Sequence, residues 1–265
     1  MVAASIWQRR IQRAQDLAEK HSFSREILGF YVHLARFQEK QHFELTKALA
    51  RQSSDLHREL GAEELSELRS RLSSFLSMAE KHGPQKLAEL AGELSTRDEA
   101  SQTALLSSSW ISHSSSDVKT IMALLFLQPY AELLRSRAKP AKSFHTYAIC
   151  PFCNRKPGFG VMRQMGDGAA RSLVCSFCLA EWEFRRLVCP GCGEENDRKL
   201  SVFTANEFDY MRVECCESCK TYMKTIDLTR NGNAEPLVDE LASAPLDLWA
   251  REQGYAKLQN NLLGM

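Results

Sequence analysis

The sequence predicts an α+β protein: a helical N-terminal domain followed by two tandem four-cysteine ribbon modules and a C-terminal helix. Apolar residues recur every three or four positions up to about residue 140, and short alternating runs then replace that pattern. All nine cysteines lie between Cys150 and Cys219, whereas all seven histidines (His21, His33, His42, His57, His82, His113, His145) precede Cys150. These changes divide the chain into a helical domain over 1–142, ribbons over 143–188 and 189–231, and a terminal helix and tail over 232–265.

Ile6, Ile11, Ala14, Leu17 and Ala18 line one face of the first helix. Ile27, Phe30, Tyr31, Leu34, Phe37, Leu45, Ala48 and Leu49 give a longer second one. Leu65, Leu68, Leu72, Phe75, Leu76 and Ala79 make a third, which Gly83-Pro84 ends. Pro84 suits the first turn of a fourth, where its missing N–H would be unpaired anyway. Thr96-x-x-Glu99 fits a capping box, so a fifth helix is expected from there. The serine run over 107–116, broken by Trp110, Ile111 and His113, reads as a loop before a sixth helix near Asp117. Trp110 within it reads as a buried anchor. Pro129 should kink or break the sixth helix, because it removes one backbone donor and its ring crowds the preceding turn.

Lys139-Pro140-Ala141-Lys142 reads as a linker. Beyond it, Gly166-Asp167-Gly168 separates runs 160–165 and 170–175, a hairpin whose glycines allow positive φ. Runs 201–205 and 209–214 form a second hairpin, and 181–187 and 221–228 are strands leaving each module. A final helix after residue 231 has Pro236 near its start, Gly254 past its end, and a distortion at Pro245.

The cysteines form four pairs: Cys150-Pro-Phe-Cys153, Cys175-Ser-Phe-Cys178, Cys189-Pro-Gly-Cys192 and Cys216-Glu-Ser-Cys219. Two residues between thiolates let one tight knuckle present both sulfurs to one metal while its backbone N–H groups point at sulfur, and a hairpin supplies the second knuckle. Corresponding pairs are offset by 39 and 41 residues, which indicates an internal duplication. Sequential pairing is therefore expected, Cys150/Cys153 with Cys175/Cys178 and Cys189/Cys192 with Cys216/Cys219; an interleaved pairing has the same spacing requirements. With no histidine among them, both sites are all sulfur, which suits zinc or a mononuclear rubredoxin-like iron, both tetrahedral. Spacing does not choose between them. The ninth cysteine, Cys215, reads as a small buried residue.

Several function classes lose support. The chain carries 34 Lys/Arg against 33 Asp/Glu, with no polybasic footprint. Residues 150–231 carry net charge +1, which eight ligand thiolates and two divalent ions bring to minus three, a poor phosphate binder. Nucleic acid is not an expected partner. The longest apolar run, residues 121–127, falls far short of the roughly 20 residues that span a bilayer, so no membrane partner is expected either. Arg9-Arg10 is followed by no apolar stretch, so it is not read as an export signal, and a cytoplasmic location is expected. Glu39-x-x-His42 is half of a di-iron motif with no second copy, so both side chains are expected to face solvent rather than a metal. No nucleotide, hydrolase or zinc-protease motif occurs, and no catalytic constellation is visible, so the protein is read as a non-enzyme.

The C-terminal half resembles the formate dehydrogenase accessory proteins called FdhE. The similar stretches run from Cys150-Pro-Phe-Cys153 and Pro157 through Leu173-Val174-Cys175-Ser-Phe-Cys178, Glu181-Trp182, Arg186-Leu187-Val188-Cys189, Glu214 to Cys219 and Thr221-Tyr222-Met223-Lys224. They continue through Asp239-Glu240-Leu241-Ala242-Ser243, Leu246-Asp247-Leu248 and Glu252-x-Gly254-Tyr255. Cys215 stands where the family more often has serine, and the tail after Ala256 lacks the usual Asn-Pro-Phe. The resemblance implies a helical N-terminal domain, two rubredoxin-like modules with iron as the metal type (zinc the alternative), and a cytoplasmic role. That role is chaperone-like maturation of formate dehydrogenase through contact with its immature catalytic subunit; a homodimer stays open. Glu181, Trp182, Thr221, Tyr222, Lys224 and Asp239 are candidate partner contacts. The competing readings are a redox-active or metal-transfer iron protein and, behind it, a zinc-ribbon nucleic-acid binder.

Overall fold

The computed structural model describes residues 5–112, 117–138 and 148–264. The linker 139–142, His113 with the serines after it, and His145 lie outside them. The helices up to Ala138, together with Leu262–Gly264, form one compact unit, and the strands and terminal helices through Asn261 form another. The fold class is the expected α+β, with helices first and a sheet carrying both cysteine quartets after them.

The first unit contains α1 (Ile6–Lys20), α2 (Arg25–Ala48), α3 (Ala62–His82), α4 (Gln85–Ser95), α5 (Glu99–Ile111) and α6 (Val118–Arg137). α6 is buried on every face from Ile121 to Leu134, as a central helix must be when its sequence is apolar all round, and it packs against α2, α4 and α5. Pro129 does not break it. The proline leaves the Leu125 carbonyl, four residues earlier, without its helical donor, and Gln38 Nε2 of α2 supplies one at 2.8 Å. His42 Nδ1 lies 3.1 Å from the Pro129 carbonyl and Glu39 accepts from Ser5, so this pair does not converge on a metal site.

Two local readings are corrected. Asp98, not Thr96, caps α5, its carboxylate accepting from Ser101 N at 2.9 Å, while Thr96 closes α4. A threonine hydroxyl and an aspartate can each cap a helix, but an ionised oxygen is the stronger acceptor at a helix N-terminus. The serines at 107–109 are helical within α5, so the predicted loop does not begin there. Trp110 is buried, donating its indole N–H to the Arg58 carbonyl at 3.0 Å. Among the described residues no helix is long and apolar enough to cross a membrane.

The second unit holds β1 (Pro157–Met165), β2 (Gly168–Cys175), β3 (Glu181–Glu183), β4 (Leu200–Ala205), β5 (Phe208–Cys216), β6 (Thr221–Asp227), α7 (Pro236–Ala242), α8 (Ala244–Glu252) and β7 (Ala256–Lys257). Strand order is β3-β2-β1-β6-β5-β4, with β7 also on β6. Each copy of the duplication is thus a three-stranded antiparallel meander. The two copies join where β1 runs parallel to β6, with Gly160 opposite Thr225. A Cβ at residue 160 would sit 2.4 Å from Thr225 Oγ1, so this joint requires glycine. β3 is shorter than the predicted strand over 181–187. The single terminal helix is instead two, because Pro245 lies in the first turn of α8, where its missing donor is harmless. Leu246 and Ala250 of α8 pack with Phe159, Val161, Met211, Val213 and Ile226 of the sheet.

Candidate metal centres

The structure brings Cys150, Cys153, Cys175 and Cys178 into one quartet and Cys189, Cys192, Cys216 and Cys219 into another, with all sulfurs of a quartet within 4.8 Å of one another. The pairing is sequential. In the first, Sγ separations are 3.5 Å for Cys150–Cys178, 3.4 Å for Cys153–Cys175 and 3.6 Å for Cys153–Cys178. In the second, Cys189–Cys219 and Cys192–Cys216 are both at 3.7 Å. A tetrahedron of sulfurs about 2.3 Å from a central ion has edges of about 3.8 Å, so the donor sets fit such an ion. Each quartet can hold one metal ion.

Local backbone geometry explains why these pairs serve. The residue after each second cysteine has positive φ: Asn154 at 57°, Leu179 at 52°, Gly193 at 77° and Lys220 at 55°. That conformation closes a tight turn, in which Asn154, Gly193 and Lys220 donate backbone N–H to the carbonyls of Cys150, Cys189 and Cys216. Phe152 N and Phe177 N point at Cys150 and Cys175 sulfur at 3.4 Å, and Gly191 N at Cys189 sulfur at 3.3 Å. Such N–H groups stabilise thiolate charge. Of the four positive-φ positions, Gly193 and, more weakly, Asn154 carry a sequence signal for that conformation, while Leu179 and Lys220 carry none.

The thiols cannot all ionise side by side without a cation. Burial opposes the charge of Cys175, but contacts from Cys150, Cys153 and Cys178 hold its pKa well below the ordinary value. Cys153, through its contacts with Cys150 and Cys175, and Cys178, chiefly through burial, are pushed well above it. In the second quartet burial pushes Cys189 up to about 12. Burial likewise opposes Cys219, yet the Thr221 hydroxyl at 3.0 Å and its backbone N–H bring it down to about 7.

The quartets differ in access. Every cysteine of the first is buried, whereas in the second Cys192 is exposed and Cys219 partly so. Buried Arg155, its guanidinium 4.2 Å from the Phe177 ring centroid, lies near the first quartet and was not singled out by spacing. Cys215 points into the apolar core, and burial raises its pKa to about 12.

Most of the candidate partner contacts are internal. Trp182, Tyr222, Lys224 and Asp239 are buried, and only Glu181, paired with Arg163 at 2.7 Å, is exposed, with Thr221 partly so. Lys224 Nζ donates to Asp247 Oδ2 at 2.6 Å and to the Glu240 carbonyl at 2.6 Å, and Lys257 lies 2.5 Å from Glu240 and 3.0 Å from Asp247. Tyr222 OH donates to Asp247 at 2.8 Å and Tyr210 OH to Asp239 at 2.7 Å. Two cations and two carboxylates thus balance under α7 and α8, which ties those helices to β6. Charged residues in sequence look like surface; their mutual neutralisation needs the fold.

A helical unit joined in one chain to a duplicated ribbon with two four-thiol clusters defines a rubredoxin-like metal-ribbon class of protein. The family model "FdhE, central domain" matches residues 149–186 and "FdhE, C-terminal domain" matches residues 187–263. A protein FdhE homolog of Aquifex aeolicus is 30% identical, over 96% of this chain and 94% of its own. One of Proteus mirabilis is 27% identical, over 98% of this chain and 88% of its own. The crystal structure of the FdhE protein from Pseudomonas aeruginosa has the same fold, with TM-score 0.68 at 23% identity, covering 97% of this chain and 95% of that one. The chain belongs to the FdhE family.

Proposed function

We propose that this protein is a non-enzymatic, cytoplasmic accessory factor for formate dehydrogenase, which binds the immature catalytic subunit and holds it until its cofactors are loaded. The observation that carries this reading is the pair of sulfur quartets at tetrahedral spacing in a chain of the FdhE family. Cys150, Cys153, Cys175 and Cys178 are the proposed ligands of one ion, and Cys189, Cys192, Cys216 and Cys219 those of the other. Iron is the proposed metal at both, with zinc the alternative that the same donors accept. A bound ion would rigidify each ribbon and thereby fix the surface offered to the client. The functional division we propose is a helical domain over 1–142, ribbons over 143–188 and 189–231, and a terminal segment over 232–265.

Clean deletion of the gene tests the reading. Formate dehydrogenase activity is expected to vanish while the catalytic subunit is still made, and the tagged protein is expected to retain that subunit. Normal activity in the deletion strain would remove the proposal. Exposure of Cys192 favours a second reading, redox or metal-transfer chemistry at the second quartet. It predicts a reddish, reversibly bleached protein whose effect on formate dehydrogenase is lost on oxidation.

A further inference from the structure

The seven-stranded sheet ends in two unlike edges. β3 is protected in the usual manner: it is three residues long and two of them are glutamates. β4, at the other end, runs for six residues, Leu-Ser-Val-Phe-Thr-Ala, without charge or proline. Val202 is 55% exposed and Phe203 38%. Glu217 N donates to the Lys199 carbonyl, and the antiparallel register continues through Ser201 opposite Cys215 and Phe203 opposite Val213. Alternation therefore turns the backbone N–H and C=O of Leu200 and Val202 outward, ahead of a register shift between Phe203 and Ala205.

The duplication indicates what such an edge accepts. β1 is the counterpart of β4 in the first copy, and its corresponding edge is filled by β6 in parallel, over Gly160–Thr225, Val161–Ile226 and Met162–Asp227. In the second copy no strand occupies that position among the described residues. A cavity of about 150 Å³ opens beside it, lined by Leu200 and Val202 of β4, Leu187, Val188 and Arg186 of the connection between the copies, and Met223 of β6. Leu187 is itself exposed. Arg186 there, and Arg198 just before β4, are exposed cations with no carboxylate partner among the described residues.

We propose that the free edge of β4 is an interaction surface that takes an extended segment of the client subunit, added in parallel as β6 adds to β1. The segment carries apolar side chains at alternate positions, one set of which covers Val202 and the adjoining cavity, and it lacks lysine and arginine, which Arg186 and Arg198 would repel. This rests on the accessory-factor reading and names the surface that reading requires.

The test is retention of the co-expressed formate dehydrogenase catalytic subunit by the tagged, metal-loaded full chain. Val202→Pro removes an outward N–H where proline is tolerated, and Val202→Lys leaves the backbone intact while placing a charge on the edge. Both are expected to lower the retained subunit at least about tenfold, and Val202→Ile is expected to retain it fully, with metal content and melting temperature as in the wild type. If Val202→Pro disturbs folding, Val202→Lys decides. Unchanged retention by a folded Val202→Lys overturns the edge proposal and leaves the accessory reading standing; failure of the wild type to retain the subunit overturns both. Self-association that Val202→Lys abolishes without altering retention assigns the edge to a second copy and overturns the proposed occupant.

Discussion

Replacing Cys153 by serine distinguishes a ribbon held by metal from one that merely contains thiols. All four sulfurs of its quartet are buried, and the module around them, matched over residues 149–186, is short. Modules below about 40 residues rarely fold on apolar burial alone. Structural thiolate sites supply about 10 to 16 kcal/mol of apparent binding energy, as much as the about 5 to 15 kcal/mol that holds a whole domain together. Loss of one ligand from the closed quartet is therefore expected to release its ion and melt the first ribbon. The two quartets should also differ kinetically. A chelator reaches the second through exposed Cys192, whereas the first must open by local unfolding. With a colorimetric chelator in excess, release is expected in two phases of one ion each, separated by at least about tenfold in rate, the slow phase accelerating with urea. Elemental analysis and far-ultraviolet circular dichroism of Cys153→Ser should show one ion fewer and lost strand signal. Cys192→Ser should abolish the fast phase alone. A folded Cys153→Ser protein with both ions, or a single phase releasing both, would refute the reasoning.

Three further outcomes follow from the packing. Glu240→Gln removes one of the two carboxylates that buried Lys224 and Lys257 share, so urea unfolding should show a loss of about 3 to 5 kcal/mol; a loss under about 1 kcal/mol would contradict the balanced network. Burial alone would raise the Glu240 pKa, but Lys224 and Lys257 hold it down at about 2 in the fold, so its contribution is full above the ordinary carboxylate pKa of about 4.3. Stability of the wild type should fall as pH drops from there toward 2, and that part of the fall should be missing in Glu240→Gln. Gly160→Val forces a side chain onto Thr225 Oγ1 and should cost about 1 to 3 kcal/mol in thermal denaturation, partly recovered by adding Thr225→Ala. Gln38→Leu strands the Leu125 carbonyl and should cost about 1 to 3 kcal/mol, and less in a Pro129→Ala background, where residue 129 regains its own N–H.

The parts of this fold that were legible in sequence are those that local chemistry determines. Helical periodicity located α1, α2 and α3, Gly166-Asp167-Gly168 located the first hairpin, and the offset between cysteine pairs gave the sequential quartets. What escaped depends on partners far along the chain. Pro129 reads as a breaker until Gln38, 87 residues from Leu125, answers the carbonyl that the proline leaves open. Lys224 and Asp239 read as surface until their neutralising and hydrogen-bonding partners are in place. The parallel joint of β1 to β6 has no sequence signature beyond Gly160, since strand order follows from how two whole modules meet.

That joint has a consequence for where the protein can meet anything else. Two copies of a meander joined first strand to last leave one strand of each kind with an open edge, and here the last-type strand at the sheet's end is the short acidic β3 while the first-type strand at the other end is the uncharged β4. The exposed thiol, Cys192, lies in the same second copy as β4, and the cavity beside that strand is lined in part by Cys189 and Cys216 of the same quartet. The first copy, with its buried quartet and its β1 edge filled, has spent both openings on the fold itself. Duplication followed by joining therefore leaves the copies unlike: the first has its cysteine quartet buried and its first strand covered on both sides, and the second keeps an exposed thiol and a first strand with one open edge.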